Sequence, residues 1–194
     1  MLIKNGFDVA QPVDKVWQFF QDIPQVAACL PGTELTDDLG NNKYLGKVAI
    51  RMGPVRLQFA GTADIKERDD QAKRIVVDAA GADERGRGQA SMVGTADLSA
   101  TRDGTRVDVS LDLQLSGAAA QYGRGMIADV TSILMADFAN NMQARIDAIR
   151  RGVSPDQVAA TRAASGFAIA LRATRLALGR VLRRFFLPYQ PNPS

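Results

Sequence analysis

Residues 106–152, RVDVSLDLQLSGAAAQYGRGMIADVTSILMADFANNMQARIDAIRRG, decide the fold. Up to Leu115 the apolar residues fall at every second place, with Val107, Val109, Leu111, Leu113 and Leu115 set against Arg106, Asp108, Ser110, Asp112 and Gln114. That is the pattern of a strand with one dry and one wet face. After Gly117 the period lengthens to 3.6. Tyr122, Met126, Val130, Ile133, Leu134, Phe138, Met142, Ile146 and Ile149 then share one stripe until Gly152 stops it. The spacing predicts a helix of roughly 30 residues, about 45 Å long at the standard rise.

Working outward from this stretch, the two-residue alternation repeats back to Lys43. Tyr44, Val48, Ile50 and Met52 alternate with Lys47 and Arg51, and Val55, Leu57, Phe59, Ala63 and Ile65 alternate with Arg56, Gln58, Thr62, Asp64 and Lys66. Ile75, Val77 and Ala79 make a further set, and Ala90, Met92, Gly94, Ala96 and Leu98 another. Turn residues stand between the sets at Gly40–Asn42, Met52–Pro54, Glu67–Gln71 and Arg102–Gly104. Another strand is expected at Leu2–Val9, giving six or seven antiparallel strands. Pro12 followed by Val13, Val16, Trp17 and Phe20 predicts a short amphipathic helix, continued by a second around Pro24–Cys29 that ends at Pro31-Gly32. A sheet with one wet face and a long helix with one apolar stripe must cover each other. The expected architecture is α+β, a curved antiparallel sheet wrapped against the long helix.

The chain has 194 residues, no histidine and one cysteine, Cys29. That inventory excludes Ser-His-Asp and Cys-His catalysis and removes the usual zinc, copper and iron ligands, so no metal cofactor is expected. Cys29, at a helix end, reads as a small buried group. Trp17 reads as core. The N-terminus lacks the pattern of a secretory leader, which places the chain in the cytoplasm as an expectation. No uncharged apolar run is long enough to span a bilayer.

Charge is divided unevenly. Residues 1–151 hold 18 Lys and Arg against 20 Asp and Glu, while residues 152–194 hold six arginines against Asp156. Residues 152–165 carry no strong period and read as a linker after a domain of residues 1–151. Over Gly166–Leu187 a helical wheel gathers Phe167, Leu171, Leu178, Val181, Leu182, Phe185 and Phe186 in one sector and sets Arg172, Arg175, Arg180, Arg183 and Arg184 opposite. Residues 166–194 therefore read as a basic amphipathic tail for an anionic membrane surface. No aromatic platform interleaves with these arginines, so nucleic acid is not the expected partner.

Many inward strand positions are small: Gly46, Gly61, Ala63, Ala79, Gly81, Gly88, Ala90, Gly94 and Ala96. Such a row marks either sharp sheet curvature or unfilled volume under the helix, and a cavity is the expectation, since cores of this size are usually packed solid. No acid or base alternates into that face, so a ligand there would be apolar. Gly123 and Gly125 imply a close approach near the start of the long helix. The RGRG run, Arg85–Gly88, reads as a mobile loop leading into a strand.

The order strand, two helices, six strands, long helix resembles the helix-grip fold of the START/Bet v 1-like (SRPBCC) superfamily. The runs CLPGTEL (29–35), FAGTADI (59–65), GTRVDVSLDLQLSG (104–117) and AAAQYGRGMI (118–127) resemble the CoxG family of carbon monoxide dehydrogenase proteins over residues 1 to about 150. This resemblance implies a non-enzymatic accessory protein of carbon monoxide dehydrogenase or a related molybdenum hydroxylase. It would hold a quinone, menaquinone or ubiquinone, and recruit the dehydrogenase to the inner face of the cell membrane. The resemblance brings no fixed catalytic motif. Periodicity instead nominates ligand-binding positions: Val48, Ile50, Leu57 and Phe59; Met92; Val109, Leu111 and Leu113; Tyr122, Met126, Val130 and Leu134. Two alternatives stay open. One is a cyclase- or dehydratase-like enzyme using the same cavity, for which Asp137 is the acid nearest the stripe, and the other is a maturation factor for the dehydrogenase.

Overall fold

The computed structural model describes residues 1–52 and 55–152. Met1–Ile146 form one compact unit, and the chain from Asp147 on is assigned to a second. The linker and basic tail read from the sequence, with Phe167, Leu171, Arg172, Arg175, Leu178, Arg180, Leu182, Arg183, Arg184, Phe185 and Phe186, lie outside the described residues.

The elements follow as β1 (Leu2–Val9), α1 (Val13–Gln21), α2 (Ile23–Ala27), β2 (Thr33–Gly40), β3 (Lys43–Met52), β4 (Val55–Asp69), β5 (Arg74–Asp83), β6 (Gln89–Thr101), β7 (Gly104–Leu115) and α3 (Arg124–Arg150). The strands make one seven-stranded antiparallel sheet in the order β1-β7-β6-β5-β4-β3-β2. The two short helices fill the crossing from β1 at one edge to β2 at the other. This is the α+β helix-grip architecture.

The dry face carries two groups of packed side chains. In one, Val9, Val16, Trp17, Phe19, Phe20, Ile75, Leu98, Val107, Phe138, Met142 and Ile146 pack together where α1 and α2 meet the sheet. Phe138 sits edge-on to Phe7 and Phe20, with ring centroids 5.8 and 6.3 Å away, a favourable aromatic geometry. Two hydrogen bonds fasten the same half of α3: Asn141 Nδ2 donates to the Cys29 carbonyl at 3.0 Å and Arg145 Nη1 to Gln25 Oε1 at 2.9 Å. Trp17 is core, as expected, and its indole Nε1 donates to Asp70 at 2.7 Å, tying α1 to the turn after β4.

The other half of α3 departs from the sequence reading. The helix begins at Arg124, and Gly117–Gln121 form a separate 3-10 turn. Ala118 N donates to the Arg87 carbonyl at 2.6 Å, which holds this stretch to the turn after β5 and away from the helix axis. Tyr122 is therefore a connecting residue, half-buried against the second apolar group. Met126 and Ile133, read as stripe residues, are 46% and 63% exposed, as is about half of Ile149, while Ile127 is buried. A straight 3.6-residue helix cannot keep one stripe facing a strongly curved sheet over its full length. Nor does anything lie within 4 Å of a Cβ built on Gly123 or Gly125, so the expected close approach is absent among the described residues.

Candidate functional site

The small residues on the dry face answer mostly to sheet curvature. Gly61 and Gly81 are direct partners across β4 and β5, and a Cβ on Gly61 would lie 2.0 Å from the Ala80 carbonyl oxygen. Neighbouring backbone blocks a side chain at Gly46 and Gly88 as well, whereas Gly94 faces the side chains of Leu111 and Met92. Deep in the second apolar group, Leu57 and Phe59 are buried with Ile3, Ala119 and Ile127. Val48, Ile50, Leu111, Leu113, Tyr122 and Val130 pack around them, so eight of the nominated positions converge on one cluster. Val109 packs instead with the Phe138 group, Met92 is half-buried on β6, and exposed Met126 joins neither.

Open volume lies beside this cluster, at the edge of β3. Pairing of β2 with β3 runs as far as Thr33 opposite Val48. One more bond, Ala49 N to the Gly32 carbonyl at 2.8 Å, brings the chain so close that only glycine fits at Gly32, where φ is +77° and a Cβ would lie 2.4 Å from the Ala49 oxygen. From there the chain turns toward α2, leaving the last residues of β3 without β2 as a neighbour.

A groove of about 440 Å³ occupies the space between that edge and α3. Pro31 and Gly32 line it just before β2, Ala49, Ile50 and Arg51 form the strand wall, and Arg56 joins from β4. The helix wall is Val130, Ile133, Leu134 and Asp137, spaced i, i+3, i+4 and i+7 and so on one face over two turns. Of the nominated residues, Ile50, Val130 and Leu134 line the groove. Arg51, Arg56, Ile133 and Pro31 were not nominated. The arginines carry the outward alternation of their strands, so periodicity alone assigned them to solvent.

Two polar groups qualify the apolar reading of the interior. Asp83, at an inward position of β5, is 4% exposed and contradicts the expectation that no acid enters that face. It is held by Arg87 of the RGRG run, which forms a hydrogen-bonded turn: Nε and Nη2 donate to its two oxygens at 2.8 Å each, and the backbone nitrogens of Gln58, Arg85 and Arg87 complete the shell. The Arg87 side chain holds the Asp83 carboxyl far below the usual carboxylate range, against an opposing push from burial. Asn5 of β1 accepts from Ser132 Oγ at 3.2 Å, while its buried Nδ2 has no hydrogen-bond partner among the described residues.

The described residues hold no group of three or more His, Cys, Asp or Glu placed to bind a metal. Burial pushes the Cys29 thiol up to about 12, with Arg145 opposing, so it is a poor nucleophile at neutral pH. Among the described residues no helix is long and apolar enough to cross a membrane.

The model of the carbon monoxide dehydrogenase CoxG family matches residues 6–147. No curated protein matches in sequence. Among solved structures, a conserved protein from Geobacillus kaustophilus superposes with a TM-score of 0.68 at 20% identity, covering 76% of this chain and 95% of that one. The ZhuI aromatase/cyclase of Streptomyces sp. R1128 gives 0.55 at 14% identity over 76% and 94% of the two chains. A protein from Thermus thermophilus gives 0.53 at 15% identity over 74% and 98%. At these identities the structural likeness speaks for the fold.

Proposed function

The chain belongs to the CoxG family of carbon monoxide dehydrogenase proteins, and on that premise we propose that it is a non-enzymatic accessory protein of a molybdenum-hydroxylase-type carbon monoxide dehydrogenase. In this reading it binds a quinone and brings the dehydrogenase to the inner membrane face, where electrons pass to the quinone pool. The observation that carries the ligand half is the groove between β3 and α3, whose walls include Ile50, Val130, Ile133 and Leu134. Its volume of about 440 Å³ falls in the range of small-molecule sites, roughly 300–1,000 Å³. The membrane half is supported by the separation of arginines from large apolar residues over Gly166–Leu187.

Organic extraction of the purified full-length protein, followed by mass spectrometry and by calorimetric titration with decylubiquinone, tests the ligand. A co-purifying quinone or saturable binding is expected, and neither appearing overturns this half. Flotation with vesicles rich in anionic phospholipid tests the membrane half: wild type floats and carries purified dehydrogenase with it, and Arg180→Glu/Arg183→Glu/Arg184→Glu does not. Equal flotation of both proteins overturns it.

A second reading has one observation in its favour, the carboxyl of Asp137 on the groove wall. A cyclase- or dehydratase-like enzyme would use it as acid or base on a hydrophobic substrate. Turnover of a polyketide-like substrate that Asp137→Asn abolishes would establish this reading over the first.

A further inference from the structure

Three like-charged pairs face each other directly in the register of the sheet: Asp64 and Asp78, Asp97 and Asp108, and Arg51 and Arg56. Like charges directly opposite on neighbouring strands destabilise a sheet. The acidic pairs are relieved within the protein. Lys66 sits 2.5 Å from Asp64, Arg74 2.6 Å from Asp97, and Arg106 3.1 Å from Asp108. The arginine pair has no such relief. Both arginines are exposed, neither has a carboxylate ion-pair partner among the described residues, and both line the groove.

We propose that this groove takes a single-chain amphiphile with a carboxylate head, the head held by Arg51 and Arg56 and the hydrocarbon lying along Val130, Ile133 and Leu134. The proposal rests on the reading of the groove as a ligand site and adds to it a second class of ligand, one that would compete with a quinone for the same walls. Charge selects the head. Two arginines and Asp137 leave one net positive charge on the lining, which matches a singly charged carboxylate and disfavours a doubly charged phosphate monoester. The planar guanidinium fork suits a carboxylate better than an ammonium group does, because it donates two parallel hydrogen bonds. Volume and wall chemistry select the tail, since Ile133 is a large apolar side chain left 63% exposed on the helix wall. A bound anion removes the repulsion between Arg51 and Arg56, and the chain covers Ile133.

The test is calorimetric titration of the full-length protein with palmitate, methyl palmitate and decylubiquinone, at low and at high sodium chloride. Palmitate should bind roughly tenfold more tightly than its ester, a ratio that one charge-assisted hydrogen bond supports. The ratio should shrink with salt. Arg51→Gln/Arg56→Gln should bring palmitate down to the ester's affinity and leave the ester unchanged, which also reports that the variant is folded. The lysine variant, Arg51→Lys/Arg56→Lys, should retain part of the preference. Equal binding of acid and ester by wild type, or a preference that survives in the glutamine variant, overturns the carboxylate proposal while leaving an apolar site standing. Failure of all three probes overturns both. Binding of anionic phospholipid vesicles, lost in the glutamine variant with no palmitate preference in wild type, assigns the arginines to a lipid surface and overturns the proposal.

Discussion

The Asp83 carboxylate is gripped by both Arg87 donors, Nε on one oxygen and Nη2 on the other, each at 2.8 Å. The same Nη2 also donates to the Arg56 carbonyl at 2.8 Å. The clamp therefore ties the turn after β5 to the tip of the β3–β4 hairpin, and so holds the backbone of one groove arginine in place.

A carboxyl whose folded pKa is depressed stabilises the fold at pH values above its unfolded pKa, near 4, and that stabilisation drains away as pH falls below it. Denaturant unfolding followed at pH 7, 4 and 3 should show the wild type losing stability chiefly between pH 4 and 3. Asp83→Asn should be less stable at pH 7 and show a flatter dependence below pH 4. An equal slope in both proteins would assign the acid sensitivity to other carboxylates.

Phe138 and Ile133 stand on the same helix with opposite duties. Phe138→Ala removes a buried ring that contacts Phe7 and Phe20 and should cost about 3–5 kcal/mol. Ile133→Ala should change stability by less than about 0.5 kcal/mol, as for other exposed positions, yet weaken binding of a groove ligand. Thermal melts and ligand titrations on the two variants measure both effects.

Cys29 is fully buried, and its Sγ donates to the Gln25 carbonyl at 3.3 Å. A disulfide reagent at pH 8 should leave the native protein unlabelled and modify one thiol per chain in guanidinium chloride. Because burial raises this pKa, the unfolded chain releases the thiol proton first. Stability should decline as pH climbs from about 8.5 toward the folded value of about 12.

Gly125 has open space where a side chain would go and no positive φ. Gly125→Ala should stabilise the protein by up to about 1 kcal/mol by raising helix propensity in the first turn of α3. Differential scanning calorimetry reads the shift. A destabilised variant would mean that the first turn depends on glycine.

Strand alternation, turn residues and the change of period after Gly117 were enough to read six of the seven strands, the two short helices and the long one, because each depends on neighbours close in the chain; β2, with only Leu35 and Leu39 among polar residues, was not read. Leu57 and Phe59 likewise announced themselves as interior by alternation. Where the long helix starts was not readable, since the bond from Ala118 to the Arg87 carbonyl reaches across to the turn after β5. Asp83 escaped notice although it stands two places after inward Gly81, because the alternation was followed through apolar and small residues alone. Its burial depends on an arginine arriving from the far side of a turn.

By itself, then, the order of residues determined the fold class, the dry face and the absence of histidine chemistry. Tertiary structure decided where the opening lies. It forms where β2 stops pairing with β3, and its lining joins a strand edge to a helix face some eighty residues later in the chain. The meeting of Arg51 with Arg56 is likewise a matter of register. One place of slippage would set each opposite an uncharged neighbour and dissolve the pair, because in a sheet the charge that matters is the one across the ladder.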